Sequence, residues 1–222
     1  MPIQLTCRGV LFDLDGVLVD SRASVEEVWR IWAAERNRDP DAFIRVAHGR
    51  RISETLRMVA PELDIARETA ALDALEEEVV VGLRAIPGAT ELVASLPSGS
   101  WGIVTSGSTP IARLRLELAG LPVPQVFITA EQVQKGKPDP QGYIAGAERL
   151  GIPGTDCLVF EDAPPGIAAA KAAGMRVVGV LTTHEAAAIQ GVDALVPDLR
   201  HVSVGITRGD ICVLVYQRPQ QC

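Results

Sequence analysis

Short apolar runs alternate with amphipathic segments along most of this chain of 222 residues, and that alternation constrains the fold more than any other feature. Several runs are apolar on both faces, which is typical of strands buried in a parallel sheet. The segments between them have helical periodicity, and most end at a Gly or a Pro. We therefore predict an α/β fold built on a doubly wound parallel (Rossmann-like) sheet. The predicted strands cover residues 10–12, 101–105, 126–129, 157–160, 177–180 and 194–196, and the predicted helices cover residues 89–96, 110–119, 140–150, 166–173 and 184–189.

One region interrupts the alternation directly after the first predicted strand. Between about residue 21 and residue 84 no segment has the pattern of a strand, and four segments have the pattern of amphipathic helices. Pro87 and Gly88 then mark the return to the alternating pattern. We therefore predict an all-helical domain of residues 21–86, inserted into an α/β core of residues 1–20 and 87–222. The predicted helices of the insert cover residues 25–35, 42–47, 52–59 and 65–83, and a terminal β-hairpin is predicted from residues 202–206 and 211–216.

The charge and hydropathy of the chain limit its partners and its location. It has 21 basic and 28 acidic residues, a formal net charge of −7 and no basic run, so it is a poor ligand for nucleic acids or anionic membranes. The longest uncharged stretch, residues 92–112, contains two prolines and three glycines and does not suit a membrane-spanning helix. The first eight residues lack the apolar core of a signal peptide. We therefore expect a cytoplasmic protein, a monomer or small homo-oligomer, without nucleic-acid or membrane partners.

Asp13 and Asp15 form the strongest local signal for chemistry. They follow the first predicted strand, and because they lie two residues apart, their side chains project to the same side of an extended chain. Gly16 then permits a sharp turn. The carboxyl ends of strands are where open α/β sheets place ligands. Two such aspartates alone fit an acidic surface loop equally well, so the interpretation depends on the segments that follow.

Glu161 and Asp162 come directly after another apolar strand. Four carboxylates at the ends of two strands of one sheet would repel one another, and a cation would neutralise such a cluster. A set of oxygen ligands suits Mg²⁺ or Ca²⁺ rather than Zn²⁺. The alternative interpretation is an exposed Glu-Asp pair without a ligand.

Two further segments offer groups for an anion. Ser106 and Gly107 follow the predicted strand 101–105 and precede a helix, where a hydroxyl and free backbone N–H groups form an anion site. Lys137 precedes the predicted helix 140–150 and is one of only three lysines, which favours a role for its compact ammonium. An ordinary turn and a surface lysine are the alternatives. Together with the carboxylates and a bound Mg²⁺, these groups are what phosphoryl transfer requires, with one carboxylate attacking phosphorus.

The order of the four motifs resembles that of the haloacid dehalogenase (HAD) superfamily. The motifs are DLDG at residues 13–16, TSGS at 105–108, GKPDP at 136–140 and FEDAPPGI at 160–167. The helical insert between the first and second motifs resembles the cap of the subfamily that includes beta-phosphoglucomutase and small sugar-phosphate phosphatases. The residues around the motifs are most similar to the sugar and glycerol phosphatase branch.

The resemblance implies a role for each matching residue. Asp13 is expected to be the nucleophile that forms an aspartyl-phosphate, and Asp15 the general acid for the leaving oxygen and then the base for water. Ser106, the backbone N–H of Gly107 and Lys137 are expected to hold the phosphoryl group. The expected ligands of the cofactor Mg²⁺ are Asp13, the backbone carbonyl of Asp15, Asp162 and, directly or as a support, Glu161.

The helical insert is expected to contact the rest of the substrate. The family branch closes a cap loop over its substrate, and His48 and Arg50 lie in a candidate loop of this kind, with a basic surface loop as the alternative. Beta-phosphoglucomutases carry a histidine at the position of Val25, and dehalogenases usually lack the second aspartate, which is present here as Asp15. We therefore predict a Mg²⁺-dependent phosphomonoesterase for a small sugar or polyol phosphate. A beta-phosphoglucomutase-like phosphomutase is the alternative, and a haloacid dehalogenase or a catalytically silent binding protein is less favoured.

Overall fold

The centre of the structure, a computed structural model that describes residues 2–207 and 209–216, is a sheet of six parallel strands. The strand order reverses at Gly9–Phe12, the strand of this sheet that comes first in the chain. The carboxyl end of that strand therefore lies between the carboxyl ends of two strands that come later in the chain. This arrangement confirms the predicted doubly wound parallel sheet. Across the sheet the strands are β6 (Val126–Ile128), β5 (Trp101–Val104), β2 (Gly9–Phe12), β7 (Cys157–Glu161), β8 (Arg176–Val180) and β9 (Ala194–Val196).

Helices cover both faces of the sheet, because successive residues of each buried strand point to opposite faces. On one face Phe12 and Phe160 stack with their ring centroids 5.1 Å apart. On the other face Leu11 and Val159 belong to a second buried cluster. The helices are α5 (Ala89–Ser95) and α6 (Thr109–Leu118) on the first face and α7 (Gln141–Leu150) and α8 (Pro164–Ala172) on the second.

In a second sheet, which is antiparallel and has three strands, the first strand of the chain pairs with the last one. The predicted terminal hairpin is confirmed as β10 (Val202–Thr207) and β11 (Asp210–Val215). A strand that the sequence analysis missed, β1 (Ile3–Cys7), pairs with β11. The inner residues of β1 alternate between buried and exposed positions, which is the pattern of a half-buried strand.

The helical insert packs around its own apolar centre. Trp32 and Phe43 are buried there, and Trp29 stacks on Phe43 with ring centroids 5.3 Å apart. At the base of the insert β3 (Val19–Asp20) pairs with β4 (Arg84–Ala85), so the two connections to the sheet run side by side. The insert consists of α1 (Arg22–Glu35), α2 (Pro40–Ala47), α3 (Ile52–Val59) and α4 (Ile65–Glu78).

Two predicted helices differ from the structure. The predicted helix at 184–189 is wrong, because these residues form turns. The hydroxyl of Thr183, which would cap such a helix, donates to Asp162 instead. The predicted helix at 65–83 ends at Glu78, where three consecutive valines begin and β-branched side chains disfavour further turns. Among the helices in the described part of the chain, none is long and apolar enough to cross a membrane.

Candidate active site

The first motif begins at the carboxyl edge of the central sheet. Asp13 follows β2 directly and is 2 % exposed. Its backbone N–H donates to the carbonyl of Phe160 at 3.0 Å, which continues the pairing between β2 and β7. Gly16 then turns the chain with a φ of +80°, and a Cβ there would lie 2.2 Å from Asp162 Oδ2. Glycine is therefore required to bring this loop against the end of β7.

The end of β7 adds two carboxylates to the same edge. Asp13, Glu161 and Asp162 are all buried, and one carboxylate oxygen from each lies within 4.8 Å of the other two. Asp162 Oδ1 has no hydrogen-bond partner in the described part of the chain, whereas its Oδ2 accepts the hydroxyl of Thr183. Oxygen donors at this spacing, one of them orphaned, fit a hard divalent cation such as Mg²⁺. The structure thus brings together three of the four carboxylates that the sequence analysis grouped.

Lys137 neutralises part of this cluster. Its Nζ donates to Asp13 Oδ1 at 2.5 Å and to Glu161 Oε1 at 2.7 Å. Glu161 Oε1 also accepts the hydroxyl of Tyr143 at 2.9 Å, and its Oε2 accepts the backbone N–H groups of the next two residues. Both oxygens of Glu161 are thus occupied by protein donors, an arrangement that fixes the position of Lys137.

The electrostatics of the cluster favour a bound cation. Burial raises the pKa of Asp13 to about 7; the Lys137 ammonium opposes this rise and the Glu161 carboxylate adds to it. Burial, Glu161 and Asp13 also raise the pKa of Asp162 well above its usual range. Although burial disfavours its charge, Asp13 and Glu161 raise the pKa of Lys137 above its ordinary value. One ammonium faces three buried carboxylates, so a divalent cation would supply the missing positive charge.

Ser106 and Gly107 lie in the turn between β5 and α6 and line the same cavity as Asp13. The Ser106 hydroxyl donates to the carbonyl of Gly49 in the insert at 3.0 Å. The Gly107 N–H donates to Thr105 Oγ1 at 3.0 Å. Two of the three predicted anion donors, Ser106 and the Gly107 N–H, are therefore on the cavity wall, where protein acceptors engage them.

The cavity itself separates the edge of the sheet from the insert and has a volume of about 270 Å³. This volume is close to the lower end of the range of about 300–1,000 Å³ for small-molecule pockets, so it suits a small metabolite. Lys137 and Glu161 are not on its wall; they lie behind Asp13. The predicted site residues that line it are Asp13, Asp15, Ser106, Gly107, Asp162, His48 and Arg50.

Asp15 is held by a residue that the sequence analysis missed. Its Oδ2 accepts from Arg115 Nη1 at 2.9 Å, and its Oδ1 accepts the hydroxyl of Ser21 at 2.6 Å. Arg115 belongs to α6 and is 5 % exposed. Its Nη2 also donates to Glu76 Oε1 of α4 at 2.8 Å. A single guanidinium therefore joins the first motif to the insert.

The sequence does contain a signal for Arg115. The residue lies on the buried face of α6, beside Ile111, Ala112 and Leu116. A buried arginine without carboxylate partners would be strongly destabilising, so an arginine on an apolar helix face indicates an ion pair. Although burial opposes its charge, Asp15 and the insert carboxylate raise the pKa of Arg115 above its ordinary value. The pattern of α6 alone does not identify those partners.

The loop after α2 presents His48 and Arg50 to the cavity. Burial, together with the nearby His184 and Arg22, lowers the pKa of His48, so its imidazole is neutral near pH 7. The ring of His184, to which the sequence assigned no role, lies 6.2 Å from that of His48 between centroids. The structure therefore places both predicted insert residues at the cavity.

Comparison with known proteins agrees with this geometry. Residues 7–174, which include all four motifs, match the family model for haloacid dehalogenase-like hydrolases. Hexitol phosphatase A of Escherichia coli is 40% identical over 205 residues, which cover 90% of this chain and 95% of the relative. Glycerol-1-phosphate phosphohydrolase 2 of Saccharomyces cerevisiae is 35% identical over 221 residues, which cover 92% of this chain and 87% of the relative.

A solved structure supports the same assignment. A hydrolase from Pseudomonas syringae superposes with a TM-score of 0.75 and 26% identity, over 87% of this chain and 94% of that one. Both the motifs and the architecture are therefore shared with known hydrolases, as the sequence predicted. Because the family model spans most of the chain, this protein belongs to the haloacid dehalogenase-like hydrolase family.

Proposed function

We propose that this hydrolase is a Mg²⁺-dependent phosphomonoesterase that acts on a small sugar or polyol phosphate through an aspartyl-phosphate at Asp13. The observation that carries the proposal is the position of Asp13, a buried carboxylate on the cavity wall with one oxygen held by Lys137 Nζ at 2.5 Å. Two relatives, a hexitol phosphatase and a glycerol-1-phosphate phosphohydrolase, support a polyol phosphate as the substrate.

Asp13 performs the first displacement. Lys137 holds its Oδ1, so Oδ2 is the oxygen that bonds to phosphorus while the bond between phosphorus and the ester oxygen breaks. Asp13 and Asp162 would hold Mg²⁺, which when bound supplies positive charge to the phosphoryl oxygens. The Ser106 hydroxyl and the Gly107 N–H exchange their present acceptors for phosphoryl oxygens.

Asp15 transfers a proton in each of the two steps. In its protonated form Asp15 gives its proton to the departing ester oxygen and becomes a carboxylate. It then takes a proton from the water that attacks phosphorus and is thereby protonated for the next cycle. This attack breaks the bond between Asp13 Oδ2 and phosphorus, which releases phosphate and regenerates the Asp13 carboxylate. Ser21 and Arg115 engage both Asp15 oxygens in the structure, so one of these contacts opens when the carboxyl group meets the substrate.

A phosphomutase would use the same Asp13 and Asp15 chemistry, but the cavity offers it less support. Val25 lines the cavity at the position where beta-phosphoglucomutases carry a histidine. Its apolar side chain offers no proton-transfer group to a second sugar hydroxyl. Water therefore receives the phosphoryl group.

Phosphate release in the presence of Mg²⁺, over a panel of sugar, polyol and nucleotide monophosphates, tests the proposal. We expect free phosphate from sugar or polyol phosphates. Incubation with beta-glucose 1-phosphate and a trace of the 1,6-bisphosphate tests the mutase. Glucose 6-phosphate that accumulates faster than phosphate would show that the phosphomutase is right, and no turnover of any ester would contradict both functions.

Arg50 and His48 are proposed to contact the part of the substrate beyond the phosphate. Arg50→Ala is expected to lower kcat/KM for a polyol phosphate about tenfold, because a charged hydrogen bond to a hydroxyl is lost. p-Nitrophenyl phosphate has no hydroxyls, so its loss is expected to be smaller. Arg45→Ala, at an exposed position of α2, is the matched control. Equal losses on both esters would remove Arg50 from a recognition role.

A further inference from the structure

Two threonine hydroxyls of the insert are buried at the cavity without partners. Thr55 of α3 is 0 % exposed, and its Oγ1 has no hydrogen-bond partner among the residues that the structure describes. Thr69 of α4 lines the same cavity, and its Oγ1 is also buried and has no partner within residues 2–207 and 209–216. Buried hydroxyls normally have partners, because burial without one is unfavourable. Both hydroxyls therefore point to a ligand that pairs with them.

Asp73 lies one helical turn beyond Thr69 on the same face of α4 and also lines the cavity. Within the described residues, burial and the carboxylates of Glu76, Glu131 and Glu77 act on Asp73, and no cation or hydrogen-bond donor does. These effects raise the pKa of Asp73 to about 6. The carboxylate therefore has negative surroundings and free acceptor sites.

Along helix α4, the side chains that line the cavity continue away from the end of the cavity where Asp15 lies. Glu76, on the same helix, is joined through Arg115 to Asp15. A rise of 1.5 Å per residue places Thr69 about 10 Å from Glu76 along the helix axis. The polar face of α4 thus begins beside the acid/base group and continues over a distance of several carbon atoms.

We propose that Thr55, Thr69 and Asp73 form a hydroxyl-binding subsite, which we call the cap wall; this inference rests on the proposed function. The cap wall selects phosphate esters that have hydroxyls on several carbons and rejects esters that carry a carboxylate. Threonine hydroxyls donate and accept, and a carboxylate accepts, so together they match the hydroxyls of a neutral chain. A substrate carboxylate would meet Asp73 and Glu131, and like charges in a partly buried site repel.

The substrate class is tested with kcat/KM for a hexitol 6-phosphate, glycerol 1-phosphate and 2-phosphoglycolate, and p-nitrophenyl phosphate reports the chemistry alone. We expect efficiency to fall in the order hexitol, glycerol, glycolate, with at least about 100-fold between the first and the last. Equal or better turnover of 2-phosphoglycolate would overturn this inference and leave the phosphatase function intact. No phosphate release from any of the four esters would overturn the proposed function and the inference with it.

Thr55→Val keeps the shape of the side chain and removes its hydroxyl. We expect kcat/KM for the hexitol ester to fall about tenfold more than that for p-nitrophenyl phosphate, and Thr55→Ser to restore most of the loss. Because the hydroxyl has no partner among the described residues, the valine variant is expected to melt at the same or a higher temperature. A lower melting temperature with equal losses on both esters would show a structural role alone.

Asp73→Asn removes the negative charge and keeps the size of the side chain. We expect kcat/KM for 2-phosphoglycolate to rise about tenfold relative to that for the hexitol ester, because the repulsion is relieved. Glu78→Gln makes the same charge change at an exposed position of α4 outside the cavity, on a carboxylate that does not act on Asp73, and is the matched control. A ratio that Asp73→Asn leaves unchanged, or that Glu78→Gln moves equally, would contradict the role of Asp73.

Discussion

The two sides of the cavity are built in opposite ways. At the edge of the sheet, ionic groups engage one another: Lys137 holds Asp13 and Glu161. On the cap wall, Thr55 and Asp73 have no protein partner among the described residues. A fixed ionic network suits chemistry that is the same for every phosphate ester, because it holds the Asp13 carboxylate in place before the substrate binds. Groups left unpaired suit recognition, since only the right substrate completes their hydrogen bonds.

Asp13→Asn is the strongest way to break the network at the edge of the sheet. The amide cannot form the phosphoenzyme and is a poorer cation ligand, so kcat is expected to fall at least about a thousandfold. Lys137 keeps its contact with Glu161, so the variant is expected to fold, which thermal melting checks. A variant that retained about a tenth of the wild-type kcat in a phosphate-release assay would contradict the role of Asp13 as nucleophile.

Removal of divalent cations tests the charge balance at the same edge. One ammonium faces three buried carboxylates, and Asp162 Oδ1 is orphaned, so EDTA is expected to abolish phosphate release and Mg²⁺ to restore it. Ca²⁺ is expected to inhibit, because its larger and looser coordination misplaces Asp13. Independently of turnover, Mg²⁺ is expected to raise the Tm of the wild type more than that of Asp162→Asn. Full activity in a metal-free sample would instead favour a dehalogenase-like mechanism.

Arg115 joins the two sides, and its removal tests whether they act independently. Arg115→Met leaves Asp15 and Glu76 without their shared cation, so kcat is expected to fall about tenfold to 100-fold and Tm to fall as well. Arg115→Lys is expected to recover Tm more than kcat, because a point charge cannot bridge both carboxylates as a planar fork does.

The control for this prediction lies on the same helix. Arg113→Met changes an exposed arginine of α6 and is expected to leave kcat unchanged. A double-mutant cycle of Arg115→Met with Glu76→Gln measures the coupling between the core and the insert. A wild-type kcat in Arg115→Met would show that the insert does not position Asp15.

The two sides of the cavity also differ in how far the sequence predicts them. Asp13, Glu161 and Asp162 lie at the ends of apolar strands, and the carboxyl ends of parallel strands meet at one edge, so their convergence was predictable. Thr55 and Thr69 lie in amphipathic helices, where nothing in the sequence tells whether a hydroxyl will be paired. That property depends on what the helix faces after the chain has folded.

For the fold, too, local sequence patterns predict the elements but not the contacts between distant parts of the chain. The parallel sheet was predictable because its strands are apolar on both faces. The pairing of β1 with β11 joins opposite ends of the chain, and a short alternating segment does not identify so distant a partner. The predicted helix at 184–189 failed because Thr183 donates to Asp162, a tertiary contact that no local pattern contains.

The smallest expected effect is on the free energy of unfolding, which the unpaired carboxylate of Asp73 is expected to lower. Burial and the neighbouring carboxylates raise the pKa of Asp73 from its ordinary value of 3.8 to about 6 in the folded protein. The folded state therefore keeps this proton to a higher pH than the unfolded chain does, and stability falls as the pH rises from about 4 to about 6. Asp73→Asn stays neutral, so we expect it to be more stable than the wild type by about 1 kcal/mol above pH 6, after allowance for partial exposure, and equally stable below pH 4. Urea unfolding of both proteins at pH 4 and pH 8 measures the difference. A difference that does not grow with pH would mean that Asp73 has a partner in the free protein, and the contrast between the two sides of the cavity would then fail.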